Sequence, residues 1–132
     1  MGTGGVGNFD NDDALDWVSE LEQARDNSLI SETLKVVTER GDEYLEATEA
    51  CRALAAAEVV AALNHAGSPD LPDEVRQWVS KHRLGSASLT QLALRAIQRI
   101  ETASELNELW DESDSEAEWY EVIDDLETRL KG

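Results

Sequence analysis

The sequence has few of the residues that would tie the protein to an oxidising compartment or to a membrane. It holds a single cysteine, Cys51, so no internal disulfide can form, and the alanines around it predict a buried packing residue in a reducing compartment. No apolar run approaches the length of a membrane span, and the first residues lack the basic start and apolar stretch of a signal peptide. We therefore expect a cytoplasmic protein that does not bind membranes.

Positive charge is also scarce. The chain has 11 Lys and Arg against 29 Asp and Glu, which gives a net charge of -18 in 132 residues. Binding to the nucleic-acid backbone or to an anionic membrane surface depends on Lys and Arg, so the composition argues against both. A basic protein is the partner that this charge favours.

Proline is rare, and the two prolines lie together in a short linker at residues 68–72. Elsewhere, apolar stripes at helical spacing predict about six helices and no strand. The sequence predicts an all-α, single-domain bundle over residues 1–132, with a glycine-rich turn at residues 2–8. The six helices are expected at about residues 11–24, 29–40, 43–66, 72–83, 89–112 and 115–131.

The alanine-rich helix at about residues 43–66 has no Gly or Pro, and its small side chains let neighbouring helices approach on several sides. We expect the other helices to pack around it. Glu58 lies in its middle, with apolar residues one turn away in both directions, so its carboxylate needs a partner. We expect a structural ion pair with Arg95 or Arg99 of the next long helix, in preference to a role as a catalytic acid.

Helix ends are marked by capping residues. Asp10 or Asn11 is expected to cap the first helix, and Ser88 with Gln91 and Ser115 with Glu118 have the spacing of capping boxes. His65 and His82 fall near helix C-termini, where an imidazole can meet unpaired carbonyls. Neither histidine has a context that marks it as a catalytic base.

Two acidic regions are candidate binding surfaces. The first is the turn that holds Phe9, Asp10, Asn11 and Asp12. It fails the spacing of a calcium loop, because Leu15 and Leu21 replace the required glycine and bidentate glutamate, so we expect no metal there.

The second candidate surface is the acidic end, for which Glu112, Asp114 and Glu116 are the candidate binding residues. It lies in a stretch, residues 101–128, that has many carboxylates and no Lys or Arg. A solvated face explains this charge, and so does a surface that steers a basic partner.

An enzymatic alternative rests on carboxylates spaced three residues apart, which share a helix face and can hold Mg²⁺. Glu46 with Glu49, and Glu121 with Asp124, have this spacing. They would suit a metal-dependent nucleotide pyrophosphohydrolase. Such pairs also arise by chance in a chain this acidic. The sequence therefore favours an interaction protein, immunity-like or inhibitor-like, with no catalytic residue and no cofactor.

Several motifs carry a resemblance to a known family. GNFDNDDALDW near the N-terminus, AAAEVVAAL in the middle, and SELNELWDES followed by EWYEVIDDLETRL resemble the bacterial domain-of-unknown-function family numbered 4259. The likeness extends over nearly the whole chain. The chain departs from the family pattern at Gly4, where a Trp is usual. The resemblance implies a helical bacterial protein and supplies no activity.

Overall fold

The structure, a computed structural model, describes residues 6–82 and 85–132. These residues form seven helices and no strand, which confirms the all-α bundle. None of the described helices has the length and apolar character needed to cross a membrane. In chain order the helices are α1 (Asp12–Gln23), α2 (Ser28–Thr38), α3 (Ala47–Leu63), α4 (Asp73–Lys81), α5 (Ala87–Thr102), α6 (Glu105–Asp111) and α7 (Glu116–Lys131).

Helix α3 is the centre of the bundle, as the alanine-rich sequence predicts. It packs against α1, α2, α4, α5, α6 and α7, and almost every residue from Ala50 to Leu63 is buried. Alanine adds little bulk beyond the backbone, so helices can lie on several sides of α3 at once. Cys51 is buried in this helix, as predicted.

Helix α3 is shorter than predicted at its N-terminal end. It begins at Ala47, where Glu46 and Glu49 form a capping box, while Leu45 lies outside the helix and is fully buried. Arg99 holds the preceding segment by donating to the carbonyls of Gly41 and Glu43, both at 2.7 Å. Tertiary contacts with α5 therefore keep these residues out of the helix, against their local propensity.

At its C-terminal end α3 closes with a backbone motif. The N–H of Ala66 donates to the carbonyl of Ala61 at 2.8 Å, and the N–H of His65 donates to that of Ala62 at 3.0 Å. This pattern requires the left-handed conformation of His65, whose φ is 63°. The backbone N–H groups of His65 and Ala66, rather than the His65 imidazole, thus donate to these two carbonyls.

The helix predicted over residues 89–112 is two helices, α5 and α6. Ser104 interrupts it: the Ser104 hydroxyl accepts from the N–H of Asn107 at 3.1 Å, and the Asn107 side chain accepts from the N–H of Ser104 at 2.8 Å. The Ser104 hydroxyl also donates to the Ile100 carbonyl of the preceding helix at 2.7 Å. This reciprocal cap outcompetes continuation of the helix.

The other capping predictions have mixed outcomes. Asn11 caps α1 by accepting from the N–H of Ala14 at 2.8 Å, as expected. Ser86, rather than Ser88, caps α5. Ser115 precedes α7 but makes no side-chain cap, so the predicted box with Glu118 is wrong. Of the predicted glycine-rich turn, residues 2–5 lie outside the described residues, as does Arg83 at the predicted end of the fourth helix.

Candidate functional site

A cleft of about 720 Å³ lies between the N-terminal turn, the loop after α3 and one side of α7. We call it the acidic cleft. Its walls combine six carboxylates, one arginine and a few apolar and small residues. They are Val6, Gly7, Asn8, Phe9, Asp10, Glu58, Ser68, Asp70, Glu118, Glu121, Val122, Asp125 and Arg129.

The N-terminal turn forms one wall through local hydrogen bonds. The N–H of Gly7 donates to Oδ2 of Asp10 at 3.0 Å, and the N–H of Asp10 donates to the carbonyl of Gly7 at 3.1 Å. A Cβ at Gly7 would lie 2.5 Å from that Asp10 oxygen, so any larger residue would displace the carboxylate. The turn directs Asn8 inward and leaves Phe9 half-buried at the cleft.

Glu58 forms the floor of the cleft, and its partner is Arg129 of α7. The Arg129 guanidinium donates to both Glu58 oxygens, at 2.9 and 3.0 Å, and the Asn8 amide donates to Glu58 Oε2 at 2.8 Å. The predicted pairing with Arg95 or Arg99 is wrong. Arg95 is exposed on α5, and Arg99 binds the carbonyls before α3, because the Glu58 side of α3 packs against α7 instead of α5.

Arg129 has most of its donors committed. Besides Glu58, it donates through Nε to Asp125 at 2.8 Å and through Nη1 to the Ala66 carbonyl at 3.1 Å. The hydrogen bonds with Glu58 raise the pKa of Arg129 above its ordinary value, although burial opposes this. The guanidinium therefore stays charged and neutralises Glu58, which is only 3% exposed.

The other carboxylates of the cleft are exposed to solvent. Four of them, Asp10, Asp70, Glu118 and Glu121, form no ion pair within the described part of the chain, and Asp125 remains 67% exposed beside Arg129. Arg129 is the one cation among the described residues that line the cleft. The cleft therefore has an excess of negative charge that a cation could satisfy.

The structure places some of the predicted binding residues in this cleft and separates others from it. Phe9 and Asp10 line it, whereas Asn11 is buried as the cap of α1 and Asp12 is exposed in the first turn of α1. The residues of the predicted acidic end are exposed around the start of α7 and do not line the cleft. These are Glu112, Asp114 and Glu116.

Reasoning from the sequence missed Asn8, Glu118, Asp125 and Arg129 as members of one site. One feature of the sequence did point to Arg129 as a member of the site. Arg129 is the first cation after the long acidic stretch, and Asp125 precedes it by four residues, a spacing that favours an ion pair on one helix face. Arg129 is the residue that supplies the counter-charge of the buried Glu58.

The carboxylate pairs of the enzymatic alternative have separate settings. Glu46 and Glu49 cap α3, and Glu49 also pairs with Arg40 at the end of α2. Glu121 lines the acidic cleft. Its predicted partner Asp124 does not, and instead has a carboxylate oxygen within 4.8 Å of those of Glu101 and Glu127.

That second carboxylate group joins α5 to α7, and we call it the acidic triad: Glu101, Asp124 and Glu127. Burial and the charges of Glu127 and Asp124 raise the pKa of Glu101, and Lys131 partly opposes them. Cys51, in the core, also has a shifted pKa. Burial, aided by Asp13, raises the pKa of its thiol to about 12, so Cys51 is not a nucleophile at neutral pH.

Comparison with known proteins gives one result. No curated protein and no solved structure shows a significant match to the chain. A family model does match, over residues 2–122, a span that includes the N-terminal turn and Glu58 and ends before Asp125 and Arg129. The chain therefore belongs to the family described as Domain of unknown function (DUF4259).

Proposed function

We propose that the protein is a small cytoplasmic interaction protein that binds a basic protein partner through the acidic cleft. The observation that carries this proposal is the charge balance of the cleft, where six carboxylates face one arginine that is already engaged. Exposed like charges around a cleft create a potential that draws in a partner of opposite sign and speeds its association.

The proposed role is that of an inhibitor or an immunity protein, which covers a basic protein and blocks it. Nothing in the cleft requires the protein to change its ligand chemically. Glu58, the buried carboxylate, accepts three hydrogen bonds from Arg129 and Asn8, so its oxygens are engaged within the fold rather than presented to a ligand.

A metal-dependent nucleotide pyrophosphohydrolase remains the alternative. It would have to hold phosphates as well as a metal, and phosphate sites in proteins use Lys, Arg or free backbone N–H groups. Among the described residues of the cleft, the one cation is Arg129, which is bound to Glu58 and Asp125. This arrangement favours a cationic ligand over an anionic one.

Two matched variants test the proposal. Glu118→Gln with Glu121→Gln neutralises two exposed cleft residues, and Glu22→Gln with Glu32→Gln neutralises two exposed residues on α1 and α2. Both variants lose the same charge. Each is used, beside the wild type, to capture proteins from a cell lysate, and a protein retained by the wild type is then purified for calorimetry.

We expect the partner to bind the wild type and the α1/α2 variant alike, and the cleft variant about tenfold more weakly. Binding should also weaken as salt is raised from about 50 to about 500 mM, since exposed charges are screened over a few ångströms at the higher concentration. Equal binding by both variants, or capture of nothing at low salt, would refute the proposal.

A further inference from the structure

We propose that the acidic cleft receives an arginine side chain of the partner, with the guanidinium at Glu121 and Asp125 and the aliphatic stem against Phe9. This inference rests on the proposed function and specifies the chemistry of the residue that is recognised. Three features of the cleft support it: a guanidinium already bound there, an apolar strip beside the carboxylates, and a buried acceptor without a donor.

The cleft already binds one guanidinium, that of Arg129. It meets Glu58 with two parallel hydrogen bonds and Asp125 with a third, the fork geometry by which arginine recognises carboxylates. Arg129 uses Oδ2 of Asp125, and the Asp125 side chain is still 67% exposed. Glu121 lies one turn before Asp125 on α7, and both residues line the cleft, so a second guanidinium has two carboxylates in reach.

The apolar residues of the cleft suit the rest of an arginine side chain. Val6, Phe9 and Val122 are half-buried and line the same cleft as the carboxylates. The three methylene groups of an arginine pack on such a surface while the charged head stays among the acids. Phe9 is the aromatic residue of the cleft wall on which the guanidinium would stack, and guanidinium groups stack on aromatic rings more readily than ammonium groups do.

Asn8 adds an acceptor that lacks a donor. Its side chain is 6% exposed and lies in the cleft wall, and its Nδ2 donates to Glu58. That bond fixes the orientation of the amide, because a flipped Asn8 would set its oxygen against the carboxylate. Oδ1 then has no hydrogen-bond partner among the described residues. Oδ1 is itself shielded from solvent, so a guanidinium in the cleft would reach it only after a small shift of the turn around Asn8. A group with five N–H donors could then supply one to this oxygen as well as to carboxylates, whereas a lysine offers three from a single nitrogen.

The test is an NMR titration of the ¹⁵N-labelled full chain with two blocked tripeptides of equal charge, acetyl-Gly-Arg-Gly-amide and acetyl-Gly-Lys-Gly-amide. We expect the arginine peptide to shift the backbone N–H of Gly7 and Asp10, the side-chain amide of Asn8 and the Nε–H of Arg129. The lysine peptide should bind at least about threefold more weakly, since it loses the stacking and the paired hydrogen bonds.

Phe9→Leu is the decisive variant, because it keeps an apolar side chain against the core and removes the ring. It should weaken the arginine peptide about threefold and leave the lysine peptide nearly unchanged. Leu15→Ala, at an exposed position of α1 outside the cleft, is the matched control and should alter neither affinity.

Equal affinities for the two peptides, shifts confined to residues outside the cleft, or no effect of Phe9→Leu would overturn the inference. These outcomes are distinct from failure of the proposed function. If a basic protein still loses affinity in the Glu118→Gln, Glu121→Gln variant while the arginine peptide shows no preference, the cleft binds by charge alone. If that protein binds the variant as tightly as the wild type, both proposals fall together.

Discussion

Helix α7 carries acidic residues on two sides. On one side a carboxylate is paired with an arginine, and on the other side carboxylates lie beside one another. On the first side, Arg129 binds Asp125 and the buried Glu58, and Arg129 and Asn8 together donate to both carboxylate oxygens of Glu58. On the other, Asp124 and Glu127 meet Glu101 with Lys131 as the only cation that acts on Glu101 in the described chain. In the first group Glu58 is buried and paired while Asp125 stays exposed, and in the second group three carboxylates lie close together and are partly open to water.

The two groups of carboxylates differ because they are exposed to solvent to different extents. A carboxylate removed from water needs a cation and hydrogen bonds in place, or its burial costs several kcal/mol. Carboxylates that keep water can lie near one another at a cost of a few tenths of a kcal/mol per pair. We therefore expect the Glu58 network to be necessary for the stability of the fold, and the acidic triad to lower that stability slightly.

The largest effect is expected from Arg129→Met, which leaves Glu58 buried without its cation. We expect a loss of about 3–5 kcal/mol in the free energy of unfolding, measured by urea denaturation. Glu58→Leu with Arg129→Met removes both charges and should recover at least half of this loss, since a well-packed apolar pair often replaces a buried ion pair without penalty. A loss below about 1 kcal/mol in the single variant would show that water reaches Glu58 freely.

A smaller effect is expected from Asn8→Ala, which removes one hydrogen bond to the Glu58 carboxylate. A bond to a buried charged group contributes about 1.5–3 kcal/mol, and loss of the unpaired Oδ1 offsets part of it, so we expect about 1–2 kcal/mol of destabilisation in the same urea assay. Asn64→Ala is the control. Its Nδ2 donates to the Thr90 hydroxyl at 2.8 Å in an exposed position, and its removal should cost about 0.5 kcal/mol. Equal losses in the two variants would contradict the comparison.

The smallest effect, and one of opposite sign, is expected in the acidic triad. Glu101→Gln should raise the free energy of unfolding at pH 7 by about 0.5 kcal/mol, because it removes a like charge from the group. The pKa of Glu101 is raised in the folded protein, so folding is penalised above that pKa and is relieved below the ordinary value of 4.5.

The gain from Glu101→Gln should therefore be present at neutral pH and disappear near pH 4. Thermal unfolding followed by circular dichroism across this pH range would measure it, with Glu22→Gln on the exposed face of α1 as the control. Destabilisation by Glu101→Gln at pH 7 would show that the triad contributes to the α5–α7 contact.

The helical core was largely predictable because apolar spacing reports burial directly. The stripe of Trp119, Ile123, Leu126 and Leu130 is buried on α7, and Trp17, Val18 and Leu21 are buried on α1, as the 3.6-residue period requires. The break at Ser104 was missed because the residues around it suit one continuous helix as well as they suit two separate helices. The reciprocal cap with Asn107 decides the outcome, and Asn is a less familiar partner in such a box than Glu or Gln.

The candidate site was less predictable. The alanines around Glu58 show that it needs a partner, but which arginine pairs with it depends on which helix packs on that side of α3. Helical periodicity fixes the face on which a residue lies and leaves the neighbour of that face open. The inward position of Asn8 likewise depends on a turn whose conformation is set by Gly7 and Asp10.

The long sequence separation within the Glu58 network bears on how the chain folds during its synthesis. Arg129 follows Glu58 by 71 residues, which a ribosome adds in about 4–14 s at typical rates. During that interval the nascent α3 carries an unneutralised carboxylate on the surface that it must later bury. Packing of α7 on the Glu58 side of α3 and neutralisation of Glu58 therefore occur in the same step, because α7 itself carries Arg129.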